Sequence, residues 1–64
     1  MRIDRVKLIA EMARQNITAK ALAEKAMISR LTVSAMRNGK SVNENSARRV
    51  AAALGVTVEC LKED

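Results

Sequence analysis

The chain has 64 residues, with twelve Lys or Arg against seven Asp or Glu, a formal net charge of +5, no aromatic residue, no Pro and no His. This length fits a single domain, residues 1–64, whose core must be aliphatic and rich in Ala and Met, and the scarcity of Gly and Pro suits an all-α chain with short turns. Without aromatic side chains there is no platform for stacking single-stranded bases, and without His and with one Cys no Cys–His pair or metal cluster can form within the chain, so neither catalysis nor a cofactor is expected.

The segment Met1-Arg2-Ile3-Asp4 is too polar to begin a signal peptide or a membrane span, which points to a reducing cytoplasm, at the nucleoid, and to no membrane partner. Asp4 reads as the N-cap of a first helix from Arg5 to about Gln15. Leu8 and Met12, four apart, form one candidate core pair, and Ile9 and Ala13 a second. Gln15-Asn16 ends this helix, and Ile17 plugs the core before the next element.

Thr18 is the next N-cap, and Ala19 to Ala26 is rich in good helix formers. Leu22, Ala23 and Ala26 fall on one face. After a turn at Met27-Ile28, Ser29 caps a helix from Arg30 to about Asn38, with Gly39 suited to a left-handed C′ position. On this helix Val33 and Met36 point together, whereas Arg30, Leu31, Ser34, Ala35 and Asn38 make the other side, with Arg37 at its edge. Nine helical residues span about 13 Å, a length that suits a major groove about 12 Å wide.

Asn43 is an N-cap for a helix from Glu44 to Leu54, in which Ala47, Val50, Ala51 and Leu54 follow a core-facing pattern. Gly55 ends it. Thr57 to about Lys62 reads as a short fifth helix with Val58 and Leu61 turned inward. Charge is uneven along the chain. Between Arg30 and Arg49 five basic residues face only Glu44, whereas the last six residues carry Glu59, Glu63 and Asp64 against Lys62. One basic and one acidic end suit a polyanion bound on one side.

The stretch Thr18 to Gly39 resembles the helix-turn-helix of the Cro/C1-type (XRE) regulators. Ala23 matches the Ala of the motif's fifth position, Val33 and Met36 its buried apolar pair, and Asn38-Gly39-Lys40 its closing step. Further on, Val50-Ala51-Ala52-Ala53-Leu54-Gly55-Val56 resembles the ending of the family's fourth helix, and Thr57 to Leu61 its short fifth. The resemblance implies a compact five-helix, lambda-repressor-like fold with the helix-turn-helix at helices 2 and 3. It also implies a homodimer that binds double-stranded DNA at a near-palindromic operator, a repressor of phage or mobile-element type. With no room for a second domain, no small-molecule effector is expected.

Carried onto these residues, the resemblance points to base contacts at Arg30, Leu31 and Ala35, with the small Ser34 allowing close approach. Arg30 can bond guanine O6 and N7 bidentately, and Leu31 and Ala35 can only pack on thymine methyl groups. Phosphate contacts fall on Thr18, Asn38, Lys40 and Ser41, with Lys20, Thr32 and Arg37 within reach of the backbone. Ala19 stands where the family commonly has a phosphate-gripping Gln, and Met27 where it commonly has Gly. Arg37 replaces a frequent Glu whose helix-1 Arg partner is here Met12, which frees Arg37 to point at DNA. Val56, Val58, Cys60 and Leu61 make the candidate dimer patch. A rival reading keeps the fold but gives the exposed side of the third helix, with Leu31 forward, to a protein partner, as in an antitoxin or anti-repressor.

Overall fold

The structure, a computed structural model, describes residues 1–63. Its elements are α1 (Arg5–Arg14), α2 (Ala19–Ala26), α3 (Arg30–Arg37) and α4 (Glu44–Leu54), followed by a single 3-10 turn, Val58–Cys60.

Each helix starts where a side chain satisfies backbone N–H groups that the helix itself cannot. Asp4 Oδ1 accepts from the Val6 and Lys7 amides at 2.9 and 3.3 Å. Thr18 Oγ1 accepts from Ala21, Ser29 Oγ from Thr32 and Asn43 Oδ1 from Ser46, at 3.1, 3.1 and 2.7 Å. Such caps each contribute about 1 kcal/mol. Two helices end in left-handed residues. Gly55 closes α4 at φ 70°, the conformation glycine adopts without a Cβ clash, but Met27 closes α2 at φ 60°, ψ 44°, which costs a side-chain-bearing residue free energy.

The core is one aliphatic cluster. Leu8 and Met12 enter it from α1, Leu22, Ala23 and Ala26 from α2, Val33 and Met36 from α3, and five residues of α4 complete it. α2 packs on both α4 and α3, and α3 packs on α1. The buried alanines of α2 and α4 let those helices approach closely. Gln15, just past α1, donates from Nε2 to the Leu54 carbonyl at 2.6 Å, tying the ends of α1 and α4 together.

Three expectations need correction. The five-helix count becomes four helices and a 3-10 turn. Thr57 makes no capping bond to the backbone. Its hydroxyl donates instead to Cys60 Sγ at 3.3 Å, and beyond Leu61 the chain extends to pair with residues 2–4. Second, Ile9 and Ala13 are not a buried pair. Ile9 is 41% exposed and Val6 68%, because α1 lies mainly against one helix, which covers only one stripe of its apolar arc. Third, Leu61 is 1% exposed. It is a core residue, so it drops out of the candidate dimer patch.

The pairing that displaces the fifth helix involves the N-terminal segment. Ile3, fully buried, bridges to Lys62, and Arg2 bridges to Ser41. The Asp4 amide donates to the Leu61 carbonyl at 2.8 Å, Glu63 to Arg2 at 3.0 Å and Val42 to Met1 at 2.8 Å. The first four residues thus lie between the loop after α3 and the end of the described chain.

Candidate nucleic-acid interface

α3 is amphipathic in a form that leaves one side unspent. Val33 and Met36 have no solvent exposure. The opposite side carries Arg30, Leu31 and Ser34, all exposed, with Ala35 half-buried between them. α3 contains no acidic residue, and its two arginines, at the first and last positions, have no ion-pair partner among the described residues. Leu31 is 82% exposed, the most exposed of the large apolar side chains. Eight residues give α3 a length of about 12 Å, which matches the width of the major groove.

Two shallow depressions border Leu31. One is lined by Arg30, Leu31, Ser34 and Arg37 of α3 with Ala19 at the start of α2. The other is lined by Leu31, Thr32 and Ala35 with Ser41, Val42, Asn43 and Ser46. The four candidate base-contact residues therefore stand between the start of α2 and the loop leading into α4. Asn38 is the C-cap of α3, and Asn38, Lys40 and Ser41 are all exposed in the turn beyond it.

Some of the hydroxyls expected at phosphates already have partners. Thr18 Oγ1 caps α2. Thr32 Oγ1 is 2.9 Å from Ser29 Oγ. Ser41 Oγ lies 3.4 Å from both the amine and the carbonyl of Met1. Lys20 is exposed on α2 but borders neither depression. Val42, Asn43 and Ser46, which line the second depression, lack any sequence signal for the site because the loop's return toward α3 brings them there. Of the residues expected at a dimer contact, Val56 and Val58 are half-buried against the core and Cys60 is an exposed free thiol.

Two short helices joined by a turn that starts at a left-handed residue, with the second helix baring a basic and polar side, form the geometry of a helix-turn-helix. A helix-turn-helix family model matches residues 4–59. The chain belongs to the Cro/C1-type helix-turn-helix family, a family of DNA-binding regulatory domains. The match takes in all four helices. Among solved structures, the chain is similar to part of a mutant hydroxyethylphosphonate dioxygenase, with a TM-score of 0.88 and 28% identity. That likeness covers 100% of this chain and 14% of the dioxygenase chain. No curated protein matches the sequence. Among the described residues no helix is long and apolar enough to cross a membrane, and no group of His, Cys, Asp or Glu is arranged to hold a metal ion.

Proposed function

We propose that this helix-turn-helix domain is a sequence-specific transcriptional regulator, a repressor of phage or mobile-element type, that binds a near-palindromic operator as a homodimer. The observation that carries the reading is the outward side of α3. It has two arginines without ion pairs among the described residues, no acid, and small side chains that let the helix approach base edges. In this reading Arg30 takes a guanine, a contact worth about 1–3 kcal/mol of discrimination. Leu31 and Ala35 meet thymine methyl groups, with Ser34 beside them. Arg37, Asn38, Lys40 and Ser41 hold phosphates beyond α3, and Thr18, Lys20 and Thr32 hold others. Two such helices enter successive major grooves about 34 Å apart, and repression follows from occluding the promoter. Val56, Val58 and Cys60 remain the proposed dimer patch.

The test is selection from a random duplex pool at moderate salt. An enriched inverted repeat with half-sites one helical turn apart, whose G is no longer selected by Arg30→Ala, is the expected result. A pool that stays random sinks the reading. The 82% exposure of Leu31 favours one second reading, a protein-interaction module built on the same fold. Arg30→Glu, Arg37→Glu and Lys40→Glu separate the two. They abolish binding to DNA but spare a protein partner held through Leu31.

A further inference from the structure

Arg5 lies outside the helix-turn-helix, at the first position of α1, and it is exposed. A cation there opposes the helix dipole, whose N-terminal end is positive, and the first turn of α1 holds no acidic residue. The neighbouring Asp4 does not compensate, because its carboxylate accepts from the Val6 and Lys7 amides as the helix cap. The other acids that make ion pairs are engaged elsewhere: Glu63 with Arg2, Glu11 with Arg14, Glu44 with Arg48. Arg5 has no anion among the described residues.

Its side chain nevertheless has a defined course. It runs to Gly39, where a Cβ placed on the glycine would be 3.9 Å from Arg5 Cδ. Arg5 Cδ thus lies at Gly39, in the turn that holds Asn38 and Lys40, and the guanidinium begins one bond farther on. No acid lies within that turn or within α3. A cation without a partner, set at a helix start that disfavours it and delivered to a basic turn, is matched to an anion from outside.

We propose that Arg5 binds a DNA phosphate together with the Asn38–Lys40 turn, so that α1 supplies one jaw of the backbone grip and the turn after α3 the other. The planar fork of Arg suits a phosphate held by two parallel N–H bonds. The contact rests on the DNA-binding reading above and extends it to an element that the helix-turn-helix does not include. It adds affinity without sequence preference, since phosphates carry no base information.

The experiment compares the unmodified protein with Arg5→Gln, which keeps most of the stem over Gly39 and removes the charge. Binding to the selected duplex and to an unrelated duplex is followed by fluorescence anisotropy across a salt series. Lys25→Gln, the same charge change at the far end of α2, is the reference. The expected result is a slope of log affinity against log salt reduced by about 0.9 for each Arg5–phosphate contact. Affinity falls by the same factor on both duplexes, and Lys25→Gln leaves the slope alone. If Arg5 only packs on Gly39, Arg5→Gln leaves the slope unchanged, whatever it does to the melting temperature, and the proposal is overturned. Equal slopes for the two variants overturn it as well. Unmodified protein that binds no duplex overturns the DNA-binding reading and this contact together.

Discussion

Met27 is the residue that most plainly departs from what its backbone favours. It is held at φ 60° with its side chain 79% exposed, so its side chain contributes little packing to offset the strain. Met27→Gly should stabilise the fold by about 1 kcal/mol, which for a domain this small raises the melting temperature by about 4–8 °C. Calorimetry would detect that shift, and an unchanged or lower temperature would mean that the side chain stabilises the turn in another way. Asn16, at φ 54°, sits in the same region, but Asn tolerates it better. Leu31 presents the opposite situation: an apolar side chain kept in water with nothing to cover it. If it meets a thymine methyl, replacing that thymine by deoxyuridine removes one methyl group, worth about 0.8 kcal/mol, or a roughly three- to fourfold loss of affinity. In the Leu31→Ala variant the same replacement should have little effect. Equal losses in both proteins would place the methyl away from Leu31.

At the scale of elements, the four helices could be read from the sequence because their signals are local. Asp4, Thr18, Ser29 and Asn43 each bond an amide two or three residues away, and the helical period converts spacing directly into faces. The outward side of α3 could be read for the same reason. What could not be read depends on partners far along the chain. Ile3 looks like a stray apolar residue in a polar start, and Leu61 like part of a fifth helix, until their segments pair across nearly the whole sequence. The course of Arg5 toward Gly39 likewise leaves no trace in local spacing. Ile3 is fully buried, so Ile3→Ala should cost about 2–5 kcal/mol, enough to unfold much of a marginally stable domain. Urea denaturation would measure it. α1 also has an acid-sensitive contact. Hydrogen bonds from Arg14 and Gln15 hold the Glu11 carboxyl below its ordinary pKa. The charged form is thus favoured by folding, so its contribution is present above the unfolded value and lost as pH falls through the lowered folded one. Glu11→Gln should make the loss of thermal stability on acidification shallower, and an unchanged acid limb would count against this.

For the whole molecule, the excess of positive charge sets how binding responds to conditions. With roughly six to ten phosphate contacts in a dimeric complex, affinity should fall about 10³–10⁵-fold between about 50 and 200 mM salt. Dilution should weaken binding steeply if two copies act together. Sedimentation that finds one copy at high micromolar concentration, both alone and on DNA, would rule out the two-half-site arrangement. The pairing of Arg2 with Glu63 and of Ile3 with Lys62 also makes the chain nearly a ring. The first and last described residues lie side by side, so the order in which the helices are strung is not what holds them in place. A circular permutant that joins residue 63 to residue 1 through a few glycines, and opens between Gly55 and Val56, keeps α1 to α4 in one run. It should fold to the same helical content, with the new ends at the C-terminal end of α4.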